Sequence, residues 1–579
     1  MELIDHWLGL INGVLWHQYV LFTILGVGVL FTIWSGFTQY HALTHGVACV
    51  RGKYDDKSHP GAINHFQALS TALSGTVGLG NIAGVALAVS LGGPGAVFWM
   101  WMVGLAGMAL KTTEVTLSML YRNTSDPDNP HGGPMWVARE GLKKRGLAPL
   151  GALLGGIFVI TLLISTVTGG NMFQAWNVAD ITHTYFPTVP KVAVGIVLAI
   201  LVGLTIIGGI KRIGAVTGRL VPFMCVLYLI AAVYVLAVNI GSVPDMLGLI
   251  VKSAFSPLEA QGAFLGGTFG YALLWGMKRA LFSNEAGQGS SPIAHSAART
   301  NEPVREGVVA GLEPFIDTII VCTLTALVML SSGAWNREPA ATFTEPPQVI
   351  AVEGKTNTWT LTTVAVPKKT PEAERNSKVW RENDGLFVLV EADLDRNTGR
   401  SLHKMTGRLI RHESGELIVS WDALSSETKP QIADNGVHLD LRGASLTGYA
   451  FDRVTPNLGM WIVTAACWLF AISTIISWSY YGEQGVVYLF GAWAVMPYKV
   501  LYCALIVVST LDFIRTDAQL DAWTALGTGV MLFANIPITL IFGAEAMRNY
   551  RDYIRRMKSG ELGKGRAYPP ITDVAEGRD

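Results

Sequence analysis

Long apolar segments recur along this chain, and they decide the solvent in which it folds. Eleven of them approach the roughly 20 apolar residues that a helix needs to cross about 30 Å of hydrocarbon. Half of the 579 residues are hydrophobic and only 15% are charged, too little polar surface for a soluble globule of this size. We predict an all-α polytopic membrane protein with eleven transmembrane helices, spanning approximately 16–38, 67–91, 95–120, 151–178, 191–210, 216–240, 261–286, 307–332, 457–480, 487–511 and 522–545.

The positive charges of the loops predict the orientation of these helices. Lys and Arg follow the first, third, fifth and seventh segments and fill the C-terminal tail, whereas the alternate loops carry single examples. Cytoplasmic loops hold the excess of such residues, so we expect the N-terminus outside and the C-terminus inside. Composition and export logic together favour a bacterial inner membrane with a periplasmic outer side.

A polar insert interrupts the apolar pattern between the eighth and ninth segments. We therefore divide the chain into helices 1–8 (1–334), a periplasmic insert (335–453), helices 9–11 (454–546) and a basic cytoplasmic tail (547–579). Runs such as 358–366, 386–392 and 416–421, separated by turn residues, predict a small β-rich domain in the insert. The insert lacks cysteine and must depend on its own core or on docking. Its protein partner, if it binds one, is unknown.

Several functional classes lack their signatures here. The formal net charge is zero and no basic stripe is present, so we exclude nucleic-acid binding. The five cysteines are scattered singly, without metal-ligand spacing. The run Asp393-x-Asp395-x-Asn397-x-Gly399 resembles a calcium loop, but its glycine comes one place late and Lys404 stands where Glu is needed, which favours a hairpin turn. No HExxH or GxSxG motif occurs, and we predict that the protein is not an enzyme.

Two segments contain glycine clusters that predict broken helices: Gly75–Val85 in the second and Gly266–Gly276 in the seventh. Glycine costs roughly 1 kcal/mol relative to Ala inside a helix, and backbone groups freed in lipid need partners. A break therefore persists where it lines a polar cavity, as in transporters that bind substrate near the bilayer midplane. Close helix packing through small residues is the alternative, and the spacing of Gly80 and Gly84 fits it.

Six stretches, in order, resemble the alanine or glycine:cation symporter family across nearly all of the membrane part. They are FQALSTALSGTVGLGNIAGVA (66–86), LGGPGAVFWMW (91–101), GGNMFQA (169–175), ALFSNEAGQGSSPIAH (280–295), EPFIDTIIVCT (313–323) and FAISTIISWSYYGE (470–483). The resemblance implies an eleven-helix arrangement in which helices two to eleven form the inverted five-plus-five repeat of the leucine-transporter-like fold. It also implies sodium as the coupling ion.

The resemblance further implies a site at the first glycine cluster. The amides of Leu79 and Gly80 are expected to receive a substrate carboxylate, with Gln174 pointing at the substrate. Sodium is expected to meet the carbonyls of Ser74 and Val77 and the hydroxyls of Ser473 and Thr474. The remaining expected substrate contacts are Thr76, Gly78, Asn81, Trp275 and Gly276, the last two at a break in the seventh segment.

The residues alone leave other interpretations open. Adjacent hydroxyls such as Ser473 and Thr474 most often bond to the preceding helical turn. A lone Trp such as Trp275 is usually a packing or interfacial residue. Trp176 and Asn177 depart from the smaller polar residues of the family pattern, which bears on pocket size.

Ionisable residues at membrane depth are costly and are functional candidates: Lys111, Glu114, Glu285, Glu313, Asp317 and Lys499. Lys111 and Glu114 stand three residues apart, which favours a structural ion pair on one helix face.

We therefore predict sodium-coupled symport of a small neutral amino acid, alanine or glycine, into the cell by alternating access. The alternative is a membrane-anchored amino-acid sensor that uses the insert and has lost transport. The absence of a cytoplasmic signalling domain in this sequence weighs against the sensor.

Overall fold

A computed structural model describes residues 2–371, 380–395, 398–441, 443–511 and 517–562. Its α-helices up to the insert are α1 (Glu2–Leu15), α2 (Gln18–Trp34), α3 (Thr38–His41), α4 (Val47–Val50), α5 (His65–Thr76), α6 (Val85–Gly92), α7 (Gly95–Leu120), α8 (Pro134–Lys144), α9 (Ala148–Val167), α10 (Phe173–Tyr185), α11 (Lys191–Ile206), α12 (Gly209–Val238), α13 (Val243–Ser253), α14 (Phe269–Asn284), α15 (Ser291–His295), α16 (Pro303–Ala310) and α17 (Thr323–Ser331). After the insert follow α18 (Gly443–Val454), α19 (Thr464–Phe490), α20 (Val495–Val508) and α21 (Asp517–Lys558).

Wider π-helical turns join several of these helices into longer runs: Ala42–Gly46, Gly80–Gly84, Thr168–Met172, Phe315–Cys322 and Gly459–Val463. Short 3-10 turns at Ile240–Ser242 and Ala492–Ala494 precede α13 and α20. Turns of the π type often mark functional sites, because they displace the hydrogen-bond ladder by one residue.

Seven helical runs in the described residues are long and apolar enough to cross a membrane. They are Trp7–Trp34, Gly95–Leu120, Ala148–Tyr185, Gly209–Val238, Pro303–Ser331, Gly459–Phe490 and Ala522–Lys558. An eighth consists of α5 and the run Gly80–Gly92, which meet at a 50° bend. The other three predicted segments correspond to shorter helices, α11, α14 and the run Ala492–Val508. The chain is thus a helical polytopic membrane protein.

The break predicted in the second segment is present, but the one predicted in the seventh lies elsewhere. Helix α14 runs unbroken through Trp275 and Gly276. Before it, the chain from 258 to 267 is irregular and carries the isolated bridge between Leu258 and Gly267. After it, Glu285 takes a left-handed conformation with φ +56°. The glycines at 266 and 267 end the irregular segment and do not interrupt the helix.

The insert contains two antiparallel sheets. Its strands are β1 (Ala341–Thr342), β2 (Val349–Ala351), β3 (Thr358–Leu361), β4 (Gly385–Asp395), β5 (Arg400–Arg411), β6 (Leu417–Trp421), β7 (Leu424–Ser425), β8 (Gln431–Ile432) and β9 (Gly436–Leu439). The larger sheet has the order β1-β9-β4-β5-β6, with β8 also pairing with β4, and the smaller one is β2-β3-β7. The sheet contributes its own apolar core, centred on Leu386, Val388 and Val390.

The other face of β4 docks onto the membrane part. Phe387 and Leu389 share a buried cluster with Ala263, which lies in the irregular segment before α14. The amide of Ala263 donates to the carbonyl of Arg337 over 3.0 Å. The insert therefore depends both on its own core and on docking.

The run that resembles a calcium loop lies in the β4–β5 hairpin of the insert. Asp395 pairs with Arg400 across the β4–β5 hairpin, and Gly399 has φ +71°. The carboxylate of Asp393 accepts the hydroxyl of Thr428 at 2.7 Å, so it does not face the hairpin as a calcium ligand would. The β5–β6 turn at 412–416 contains Gly415, where an added Cβ would meet no described atom within 4 Å.

Candidate functional site

The candidate site is built around the break between α5 and the π-helical turn Gly80–Gly84. Val77 ends the helical geometry with ψ +84°, although its amide still donates to the carbonyl of Leu73 over 2.7 Å. Glycine at 78 permits a close approach, because a Cβ there would lie 2.5 Å from the Thr474 hydroxyl. The break thus brings bare backbone against α19.

Two side-chain amides satisfy the backbone amides that the break releases. The Oδ1 of Asn81 accepts the Gly78 amide at 2.9 Å, and the Oε1 of Gln174 accepts the Leu79 amide at 3.3 Å. Gln174 also donates to the carbonyl of Gly169 over 3.1 Å. The geometry therefore places Gln174 of α10 directly at the predicted carboxylate site.

The four residues expected at sodium fall into two contacts. Ser74 Oγ donates to the carbonyl of Ser473 over 2.6 Å, which ties α5 to α19. Ser473 Oγ donates to Phe470 O over 2.9 Å, the back-bond to the preceding turn, and to Ser74 O over 3.4 Å. Thr474 is 1% exposed, and its hydroxyl finds no hydrogen-bond partner among the described residues. An orphaned buried hydroxyl beside freed backbone fits the oxygen-rich surroundings that a hard cation requires.

A small cavity opens at the break. Its lining combines bare backbone, two amide side chains, two aromatic rings and one carboxylate: Gly75, Thr76, Gly78, Gly80, Ser165, Gly169, Gln174, Phe282, Glu285, Gln288, Trp478 and Thr528. Four predicted substrate residues are among them, namely Thr76, Gly78, Gly80 and Gln174. Mostly neutral walls suit a small ligand that carries no net charge.

Trp275 and Gly276 lie outside this lining, and both have packing roles. A Cβ at Gly276 would overlap the carbonyl of Ala96, so the glycine lets α14 lie directly against α7. The Trp275 ring stacks with the cations of Lys278 at 5.0 Å and Arg279 at 5.1 Å. Trp275, an expected substrate contact, is therefore not part of the cavity lining, whereas Phe282, two turns further along α14, is.

Trp176 is likewise not among the residues that line the cavity. It is 7% exposed, and Lys191 lies 5.7 Å from its ring centroid at the start of α11. Asn177 donates to the carbonyl of Phe173 within its own helix, over 2.8 Å. The departures at 176 and 177 therefore change packing beside α10 and leave the described cavity wall unchanged.

The carboxylate of Asp317 binds Asn81 and so stabilises the helix break. It accepts Asn81 Nδ2 at 2.5 Å, Ser283 Oγ at 2.9 Å and Thr318 Oγ1 at 2.8 Å. Through Asn81, this carboxylate fixes the amide that caps Gly78. Asp317 thus orients the site and is surrounded by neutral donors.

The predicted ion pair between Lys111 and Glu114 is wrong. Lys111 Nζ contacts Glu313 Oε2 at 3.3 Å and Ser291 Oγ at 2.6 Å. Glu114 instead accepts the Gly287 amide at 3.3 Å and bonds with Asn535. Lys111 and Glu114 are therefore each bound by residues from other parts of the chain and not by one another. Lys499 pairs with Glu483 at 3.0 Å.

Several lining residues were absent from the predicted site. Trp478 follows Thr474 by one helical turn, and this spacing places both on one face of α19. Its indole donates to Glu285 Oε1 over 3.1 Å. Glu285 was noted only as an ionisable residue, but the glycines after it, at 287 and 289, both have positive φ and indicate a sharp local turn.

Comparison with known proteins places the chain in a family. The model of the sodium:alanine symporter family matches residues 1–366 and 417–566. The chain belongs to the sodium:alanine symporter family. Between the two matched ranges, residues 367–416 fall in the insert and include β4 and β5.

Individual members of the family match over most of their length. The sodium/alanine symporter AgcS of Methanococcus maripaludis is 35% identical over 492 residues, 85% of each chain. An uncharacterized transporter of Haemophilus influenzae is 32% identical over 561 residues, 96% of this chain and 97% of its own. The putative sodium/proton-dependent alanine carrier protein YrbD of Bacillus subtilis is 29% identical over 554 residues, 95% of this chain and 92% of its own. Members of the sodium:alanine symporter family are transporters.

Proposed function

We propose that this member of the sodium:alanine symporter family carries alanine or glycine into the cell together with sodium, by alternating access. The observation that carries the proposal is the cavity at the helix break, where freed backbone, the Gln174 amide and the orphaned Thr474 hydroxyl converge. The relatives named for sodium and alanine support the same substrate class.

The proposed substrate is a small zwitterion. Its carboxylate replaces the Gln174 oxygen at the amide of Leu79 and meets the amide of Gly80, with Gly78, Asn81 and the Thr76 hydroxyl beside it. Glu285 is the one ionisable residue in the lining of this cavity, and it offers an acceptor for the ammonium group. The rings of Phe282 and Trp478 limit the side chain to a few atoms.

Sodium is proposed to bind between α5 and α19, with the carbonyls of Ser74 and Val77 and the hydroxyls of Ser473 and Thr474 as ligands. Ser74 and Ser473 already meet in this structure, and Thr474 lies against Gly78. A cation there would hold the broken helix against α19 and order the adjoining substrate site. The sodium gradient and the membrane potential then supply the work, about 2.3 kcal/mol per charge per 100 mV.

We further propose the complete topology. The three shorter helices α11, α14 and α20 are taken as full spans, which makes eleven, with segments two to eleven related as an inverted five-plus-five repeat. The N-terminus and the insert lie in the periplasm of a bacterial inner membrane, and the basic C-terminus lies in the cytoplasm. The loop charges support this orientation.

Uptake of radiolabelled alanine into proteoliposomes tests the proposal. An imposed inward sodium gradient is compared with a potassium gradient and a proton gradient, and the Ser473→Ala/Thr474→Ala double variant serves as the ion-site control. Uptake that needs sodium and is lost in the double variant supports the site; competition by glycine, serine and D-alanine then defines the substrate. Binding of an amino acid without any uptake would favour the sensor instead.

A further inference from the structure

The short helix α8 packs backbone to backbone against the start of a membrane span. The span that contains α9 begins at Ala148. A Cβ at Gly151 would lie 2.7 Å from the carbonyl oxygen of Ala138. One turn further along α9, a Cβ at Gly155 would lie 2.9 Å from the carbonyl oxygen of Met135. Helix α8 therefore runs beside the first two turns of the span, at the level where α9 enters the bilayer.

The two sides of α8 differ in chemistry. Its buried side is apolar and includes Met135, Ala138 and Leu142. The opposite side carries a stripe at helical spacing, which we call the outward stripe: Trp136, Arg139, Glu140 and Lys143. The Arg139 side chain is 47% exposed and that of Lys143 is 66% exposed. Residues four apart lie on successive turns of one helix face, with their Cβ atoms about 6 Å apart, so both cations can reach one anionic group.

The neighbouring helix α9 presents an apolar surface to the bilayer. Its exposed large side chains also fall at spacings of three and four residues and form one stripe: Leu150, Leu153, Ile157 and Ile160. This stripe suits the acyl chains of lipids, and it begins at the level of α8. The cations of the outward stripe therefore lie at the depth where the acyl chains of a lipid end and its headgroup begins.

Aromatic rings hold Arg139 in place at this depth. Its guanidinium carbon lies 5.5 Å from the ring centroid of Trp136 and 5.7 Å from that of Tyr488, near the end of α19. The two rings meet edge to face at 5.5 Å. Trp and Tyr are typical of the membrane interface, where the ring is apolar at one end and polar at the other. A guanidinium fixed in this way can offer its planar fork of donors to two phosphate oxygens.

The charge of α8 favours an anionic partner. The helix contains three cations and one carboxylate, Glu140. Glu140 lies 3.6 Å from Arg139 and 3.9 Å from Lys143, which are loose contacts between solvent-exposed groups. One carboxylate leaves the helix with a net charge of +2. A zwitterionic lipid brings its own cation to such a surface, whereas an anionic lipid gains from every basic residue near it.

We propose that the outward stripe of α8, together with Tyr488, binds the headgroup of an anionic phospholipid, whose acyl chains lie along the exposed stripe of α9. Arg139 and Lys143 contact the phosphate, and the rings of Trp136 and Tyr488 lie beside the glycerol backbone. This lipid site is separate from the cavity at the helix break and does not depend on the proposed symport.

Thermal unfolding of the full-length protein in detergent tests the site. Dioleoyl phosphatidylglycerol and dioleoyl phosphatidylcholine, which share their acyl chains, are titrated separately. The anionic lipid should raise the melting temperature and reach saturation, whereas the zwitterionic lipid should have little effect. Arg139→Gln/Lys143→Gln should raise the half-saturating concentration of phosphatidylglycerol by about thirtyfold, the loss expected for two basic residues near an anionic lipid. Lys143→Gln alone should raise it by about fivefold.

Arg51→Gln/Lys57→Gln is the matched control, because it removes the same charge from two exposed residues of another basic loop. It should keep the wild-type half-saturating concentration. An equal effect of the two lipids, an unchanged value in Arg139→Gln/Lys143→Gln, or an equal weakening in the control overturns the inference. Equal stabilisation by soluble glycerol 3-phosphate at the same concentrations would assign the effect to free phosphate and also overturns the lipid site.

Discussion

The Thr474→Val variant tests whether the Thr474 hydroxyl is a sodium ligand. If it is, the substitution should stabilise the protein in potassium chloride and destabilise it, relative to the wild type, in sodium chloride. The Thr474 hydroxyl is buried and has no hydrogen-bond partner among the described residues. An unsatisfied buried polar group costs about 1–3 kcal/mol, and valine keeps the shape of threonine. Thr474→Val should therefore raise the free energy of unfolding in potassium chloride by about 1–2 kcal/mol.

In sodium chloride the same substitution should remove the stabilisation that bound sodium gives the folded protein. A ligand at 100 times its dissociation constant stabilises the folded protein by about 2.7 kcal/mol. The wild type should gain stability of that order when saturating sodium replaces potassium, whereas Thr474→Val should gain little. The variant is then more stable than the wild type in potassium and less stable in sodium.

Thermal unfolding of the purified protein in detergent, in matched sodium and potassium salts, measures both effects. Thr464→Val is the control, since its hydroxyl is also buried without a hydrogen-bond partner in the part of the chain that the structure describes, and it lies about 15 Å from Thr474, toward the start of α19. It should show the stabilisation and keep the sodium response. A full sodium response in Thr474→Val would refute the ion-site assignment.

Three further predictions concern the cavity residue Gln174, the packing of α14 against α7, and the buried histidine His295. Gln174→Ala removes an amide side chain that lines the cavity beside the proposed carboxylate position, so the substrate loses a hydrogen-bond partner; the KM for alanine should rise by about tenfold with little change in expression, as measured by uptake kinetics. Gly276→Val forces α14 off α7 and should abolish a monodisperse folded peak in size-exclusion chromatography, whereas Gly270→Val, with open space around it, should not. Burial would lower the pKa of His295, but Glu306 and Glu313, which contact its two ring nitrogens, raise the pKa from an ordinary value of about 6.5 to about 9. The raised pKa contributes stability that is complete below pH about 6.5 and lost as pH rises through about 9. The wild-type melting temperature should fall over that interval, and His295→Gln should melt lower and flatten the curve.

Local patterns in the sequence predicted the helical membrane character of the chain and the helix break at which the cavity opens. Glycines at 75, 78 and 80 disfavour a continuous helix, and the chain bends there by 50°. The same argument failed at 266–276, because glycine spacing cannot tell a helix break from an irregular segment next to a tightly packed helix. Gly276 belongs to the second kind, against Ala96.

Residue spacing could not predict which side chains pair when they lie far apart in the sequence. Lys111 and Glu114 share a helix face, yet Lys111 pairs with Glu313, about 200 positions away. Glu285 and Trp478 meet at the cavity from helices that are equally distant in the chain. Such pairs follow from how whole helices pack, and no window of sequence contains both members.

The β5–β6 turn is a suitable place to insert an epitope or a fusion partner into this protein. It lies at the tip of a strand pair within an insert that is anchored to the membrane part by Phe387 and Leu389. Open space surrounds Gly415, and the matching family segment resumes only at 417. A rigid epitope or small fusion partner placed between Ser414 and Gly415 would give electron cryomicroscopy a fixed landmark outside the detergent micelle, so that particles of a mostly buried protein could be aligned.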